Sequence, residues 1–288
     1  MTVSAVSVPA AAQSLSEQLA QRIEQAREAE RSRNFDTALQ IYERTIRQDG
    51  LTPTATRTLL KNRSQLFEVI LMFDRAEADL TEAFKVTPDD ATAYADRGYF
   101  YMRRGRYDDA LDDFVAGARL DPRNPIYMFG AARSLVAKGD FAAAVAFYTE
   151  AIKNGPNDGK LYLARAEALV RLKRWDDARA DYNRSIKLGL PSPVERYYAF
   201  AGRGYVALAS TDYHDAVANF DEALAINPDA FNVLSWRGYA HERRGNALAA
   251  LRDYERAAQI SPDDDKARDG TRRMRIAARS RGEMQIGR

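Results

Sequence analysis

An alanine recurs along this chain at an interval that few folds can accommodate. Ala38, Ala76, Ala110, Ala144, Ala178, Ala216 and Ala250 are spaced by 38, 34, 34, 34, 38 and 34 residues. Four residues after each stands a large apolar side chain: Tyr42, Leu80, Phe114, Tyr148, Tyr182, Phe220 and Tyr254. Three residues before each lies Phe35, Phe73, Tyr107, Phe141, Trp175, Tyr213 or Ala247. Prolines keep the same ruler at Pro88, Pro122, Pro156, Pro228 and Pro262. A period of this size belongs to stacked repeats, in which no unit can bury its apolar face alone and each buries it against its neighbours.

One unit reads as two helices. Residues 91–104 (ATAYADRGYFYMRR) carry Tyr94, Gly98 and Tyr101 at helical spacing, and Gly105 ends that helix at a left-handed cap. Residues 107–120 repeat the pattern with Ala110, Phe114, Gly117 and Ala118 on one face, and Pro122 stops the second helix. Small residues at Gly98 and Ala110 let the two helices approach, while Tyr101 and Phe114 fill the space beside them.

The unit resembles the tetratricopeptide repeat: Tyr94, Gly98, Tyr101, Ala110, Phe114 and Pro122 fit that pattern, with Gly117 in place of its last alanine. The resemblance covers residues 19–264 as seven repeats, 19–52, 57–90, 91–124, 125–158, 159–190, 197–230 and 231–264. It implies an all-α fold, an α-solenoid or right-handed superhelix of stacked antiparallel helix pairs. Residues 265–288 are then a capping helix and basic tail, with Met274, Ala277 and Ala278 covering the last hairpin. Two four-residue insertions, near 50–56 and 189–196, are rich in proline and glycine and are read as longer turns or hinges. Residues 1–18 have two readings. Val3 to Ala12 is apolar or small without a basic flank, so it is either a disordered tail of a cytoplasmic protein or the remnant of a signal that would place the protein in the periplasm.

Pairs of polar residues recur with the period. Arg63, Arg97, Arg165, Arg203 and Arg237 are followed sixteen residues later by Asp79, Asp113, Asp181, Asn219 and Asp253. Where the arginine is missing the polar partner is missing too, as in Ala131 with Phe147 and Gln25 with Ile41. This rule predicts a charge-assisted pair bridging the two helices of a hairpin.

In the resembled family the first helices line a concave groove. Carried over by repeat position, the groove takes Lys61, Asn62 and Gln65 in the second repeat, and Asp96, Tyr99, Met102 and Arg103 in the third. Phe129, Arg133 and Val136 follow in the fourth, and Lys160, Leu163, Glu167 and Arg171 in the fifth. The last two repeats give Tyr198, Tyr205, Leu208, Trp236, Tyr239, Glu242 and Arg243. Such a mixture of rings and arginines suits a protein or peptide ligand. Some members clamp a C-terminal carboxylate; Lys61 and Asn62 resemble part of that clamp, but Asp96 would repel the ligand. The function implied is a protein-interaction scaffold. Alternatives are an exported helper of cell-envelope assembly and a nucleic-acid-associated module acting through the basic C-terminal helix.

Composition removes other classes. The chain has no cysteine, so disulfides and thiolate metal sites are excluded. A net charge of +2 gives no basis for whole-molecule nucleic-acid binding, which makes that partner unexpected. No run of apolar residues is long enough to span a membrane. His214 and His241 are the only histidines and lack a second imidazole at metal spacing; His241 is read as a satisfied core residue. No phosphate loop or nucleophile motif appears, so neither metal, cofactor nor catalysis is expected.

Overall fold

The computed structural model describes residues 10–280; residues 1–9 and 281–288, which hold parts of the N-terminal segment and the basic tail, lie outside the described residues. Among the described residues there are fifteen helices and no strand. In chain order they are α1 (Ala10–Arg31) and α2 (Phe35–Ile46), α3 (Pro53–Val69) and α4 (Phe73–Val86), α5 (Ala91–Arg103) and α6 (Tyr107–Leu120). There follow α7 (Pro125–Lys138) and α8 (Phe141–Asn154), α9 (Gly159–Arg171) and α10 (Trp175–Leu188), α11 (Pro193–Ala209) and α12 (Tyr213–Ile226). The last are α13 (Phe231–Arg243), α14 (Ala247–Ile260) and α15 (Asp265–Ser280).

The helices form two compact units, residues 1–134 and 135–288, whose boundary falls inside α7. In the first unit α1 packs on α2, α3 on α4 and α5 on α6, with α2 against α3 and α4 against α5. In the second, α9 packs on α10, α11 on α12 and α13 on α14, and α15 closes on α14. There the first helices also touch one another in the order α9, α11, α13, α15.

Each turn within a pair follows one recipe. A left-handed residue stands at Arg33, Leu71, Gly105, Gly139, Lys173, Thr211 and Gly245, with φ between +58° and +84°. The amide next after it bonds back five residues, as in Arg106 N to Tyr101 O at 2.9 Å and Asp212 N to Ala207 O at 2.9 Å. This closes the first helix with the carbonyls of its last turn satisfied. The next residue starts the second helix, so Phe35, Phe73, Tyr107, Phe141, Trp175, Tyr213 and Ala247 each open one.

Two expectations are corrected. The segment read as a tail through residue 18 is helical from Ala10, because residues 10–18 are mostly strong helix formers free of glycine and proline. The insertions are not longer turns. Helices α3 and α11 have 17 residues where α5, α9 and α13 have 13, so each insertion adds one turn of helix. Proline explains the difference: Pro53 and Pro193 stand at the start of these helices, where the missing N–H costs nothing. Neither insertion lies at the boundary between the units.

Rings on several second helices are received by small residues on first helices, and two of them by glycines of two first helices. Phe114 lies against Gly98 of its own repeat and Gly130 of the next; a Cβ at Gly130 would come within 2.4 Å of the ring. A Cβ built at Gly202 would likewise come within 2.3 Å of Tyr182, and Cβ atoms at Gly238 and Gly270 within 3.1 and 2.6 Å of Tyr254. Phe114 and Phe220 are fully buried, and Tyr182 and Tyr254 nearly so.

The expected polar pairs are made. Arg63 donates to both carboxylate oxygens of Asp79 at 2.8 and 2.6 Å, Arg97 to Asp113 at 2.9 and 2.8 Å, and Arg165 to Asp181 at 2.7 Å twice. Arg237 grips Asp253 at 2.8 and 2.6 Å, and Arg203 donates to Asn219. The aspartates are buried. In three of these arginines another nitrogen reaches the preceding repeat's second helix: Arg165 to Thr149, Arg203 to Asn183, Arg237 to Asp221. One guanidinium therefore ties three helices, a task that suits its planar fork.

Two stability measurements follow. Asp181→Ala should cost about 3 kcal/mol, the low end for a buried pair, because the half-buried Arg165 guanidinium loses its carboxylate; Glu150→Ala, breaking an exposed pair with Lys153, should cost under about 1 kcal/mol. Gly130→Ala should lose about 1–3 kcal/mol in chemical denaturation, although alanine is the better helix former.

Candidate functional site

In the first unit, the first-helix face holds a cavity of about 450 Å³. It brings together the predicted Lys61, Gln65, Asp96, Tyr99 and Arg103, and adds Glu68, Asn124 and Ile126. Its charges are already matched. Asp96 accepts from Lys61 at 2.6 Å and Arg57 at 3.2 Å, and Arg57 also reaches Asp90 at 3.0 Å. Arg103 holds both oxygens of Glu68 at 2.9 and 2.7 Å. Tyr99 is half-buried and packs edge-on to Phe114 with centroids 4.9 Å apart. Asn62 is buried with its amide nitrogen unpartnered, Met102 and Phe129 are half-buried, and Arg133 is exposed over the Phe129 ring. None of these four lines the cavity.

In the second unit a cavity of about 460 Å³ is more apolar in character. Tyr205, Leu208, Trp236 and Tyr239 form one side, and Tyr254 forms the floor. The rings contact each other: Tyr205 lies 5.1 Å from Trp236 and 6.3 Å from Trp175, and Trp236 lies 6.0 Å from Phe220. Helix α15 supplies the opposite wall through Asp265, Lys266, Asp269 and Arg273.

Sequence reasoning missed that wall, although the signal was present. Counting α15 as one more first helix from Asp265 puts Lys266, Asp269 and Arg273 at the positions of Tyr198, Ala201 and Tyr205, and Gly270 under Tyr254. Arg273 holds both oxygens of Glu242 at 3.0 and 2.9 Å, and the Tyr254 hydroxyl donates to the same carboxylate at 2.8 Å. Burial works to raise the Glu242 pKa, but the bonds from Arg273 and Tyr254 outweigh it and hold the carboxyl below its usual range.

The other predicted residues of this unit lie outside the cavity. Tyr198 is exposed beside Tyr197, Arg243 lies over Tyr213 and Tyr239, Lys160 pairs with Glu195 at 3.1 Å, and Arg171 lies 4.3 Å above Phe141. Glu167 is exposed on α9. His241 is not the satisfied core residue expected: it is half-buried, burial lowers its pKa, and its Nδ1 has no partner. Among the described residues no group of three potential ligands could hold a metal, and no helix is long and apolar enough to cross a membrane.

Comparisons with known proteins agree with this architecture. A family model described as tetratricopeptide repeat matches residues 73–125, 129–192 and 202–265, more than half of the chain. The chain is 28% identical over 107 residues to RNA polymerase II-associated protein 3 of Mus musculus, covering 37% of this chain and 16% of that protein. It is 25% identical over 225 residues to superkiller protein 3 of Schizosaccharomyces pombe, covering 75% and 15%. The chain thus spans less than a fifth of either relative. Among solved structures, the C-terminal part of a TPR repeat-containing protein from Cytophaga hutchinsonii superposes with a TM-score of 0.65 at 15% identity, covering 86% of this chain and 98% of that part. YrrB, described as a TPR protein with an unusual peptide-binding site, gives 0.59 at 20% identity, with 67% and 97% covered.

The matched charges of the first cavity generate a prediction. Asp96→Asn leaves Arg57 and Lys61 without their shared carboxylate. Inorganic phosphate should then bind the variant at least about tenfold tighter than the wild type, a difference of ~1.4 kcal/mol by calorimetry. Equal binding would mean that Asp96 does not set the charge of this surface.

Proposed function

We infer a binding function from one premise: the chain belongs to the tetratricopeptide repeat family. The protein is an interaction scaffold. A partner polypeptide lies across the first-helix face of the second unit and inserts a large apolar side chain between Tyr205, Trp236 and Tyr239. The observation that carries this reading is the aromatic cavity of about 460 Å³ walled by α11, α13 and α15. Concave, mostly apolar sites with a few polar groups at the rim are where ligands bind, and tryptophan and tyrosine dominate such contacts. The first unit, with its charges paired internally, offers less binding energy. The basic residues of α15 do not favour nucleic acid, since Arg268, Arg272, Arg273 and Arg275 face Asp265, Asp269, Glu242 and Glu255.

The chain has two tryptophans, Trp175 and Trp236, so Trp175→Phe leaves Trp236 as the sole indole reporter. Peptides selected from a random library against the full chain should shift Trp236 emission on titration. Trp236→Ala should weaken them by at least about tenfold, as expected for a central aromatic contact. Peptides that bind the alanine variant as tightly as the wild type would place the site elsewhere.

A further inference from the structure

Beside the aromatic cavity the second unit carries a carboxylate, Glu167, that no cation among the described residues answers. Glu167 occupies the same repeat position on α9 as Tyr205 on α11, Tyr239 on α13 and Arg273 on α15. These four helices are neighbours in that order, so the four side chains form a row along one face. At one end of the row Arg273 is already held by Glu242. At the other end Glu167 is exposed and makes no ion pair or hydrogen bond among the described residues.

The nearby cations are committed elsewhere. Lys160 pairs with Glu195, Arg165 with Asp181 and Thr149, and Arg171 lies over the Phe141 ring. Surrounding protein desolvates Glu167 and raises its pKa, with no cation among the described residues opposing that shift. A carboxylate that water reaches but the protein crowds has the character of a groove floor, where a ligand cation gains more than it would in open solvent.

We propose that Glu167 selects a basic side chain, so that the segment filling the aromatic cavity carries lysine or arginine about three residues from its large apolar anchor. For an anchor seated against Tyr205, the spacing follows from packed helices lying about 8–10 Å apart and an extended chain advancing about 3.3 Å per residue. A segment with an acidic residue at that place would set two carboxylates against each other. The proposal rests on the reading of the aromatic cavity as the binding site and adds the chemistry of its ligand.

The test uses synthetic ten-residue peptides of alanine and serine with one fixed tryptophan. A lysine or a glutamate is walked over the four positions on either side, and each peptide is titrated against the full chain. The wild type should prefer lysine over glutamate by at least about tenfold at roughly three residues from the tryptophan. Glu167→Gln, which keeps the side chain's shape, should erase that preference and leave tryptophan-dependent binding in place. Binding that needs Trp236 but shows no lysine preference, or a preference that survives Glu167→Gln, overturns this proposal alone. If no peptide binds in a manner that Trp236→Ala weakens, the cavity reading fails and the proposal with it.

Discussion

A ring on one second helix wedged among the small residues of two first helices is the contact on which the rest of this structure depends. Phe114 between Gly98 and Gly130, and Tyr254 between Gly238 and Gly270, leave no room for a methyl group without displacement. Because the ring touches its own repeat and the next, it sets the distance and register between neighbouring hairpins. In the second unit that register aligns Glu167, Tyr205, Tyr239 and Arg273 in a row. The same contact extends to α15 through Gly270, so the cap is one more first helix and also a wall of the cavity.

Polar contacts reinforce this packing. An arginine inside each of five hairpins grips an aspartate or asparagine of its own second helix, and in three of them also reaches the preceding repeat. Burying such pairs contributes little net stability by itself, but leaving one half unpaired is costly. Their effect is to make a shifted register expensive, which complements the non-directional pull of the apolar core.

Much of the fold was legible in the sequence because its signals are periodic. The alanine ruler located every second helix, and Phe35, Phe73 and Trp175 marked where three of them start. The joint absence of the arginine and its polar partner in the repeats carrying Ala131 and Gln25 makes the bridge readable from sequence alone. What misled was punctuation. Pro53 and Pro193 look like breakers, yet each begins a helix, and four inserted residues are close to one helical turn. The left-handed turn residues at Arg33, Leu71, Lys173 and Thr211 were also hidden, since only glycine advertises that backbone.

The candidate surfaces were less legible. Repeat position predicted which residues face the first-helix side, but not which of them would be neutralised there. Repeat position marks Lys61 and Arg103 as ligand contacts, and only the fold reveals that Asp96 and Glu68 pair with them. Conversely, Glu167 gave no sign in the sequence that its neighbours leave it unpaired.

The most direct check is hydrogen exchange along the full chain with and without a saturating tryptophan-anchored peptide. Protection should rise on α11, α13 and the first half of α15, while α10 stays unchanged. Protection confined to the second helices, or to α3 and α5 in the first unit, would contradict the assignment of the aromatic cavity as the binding site.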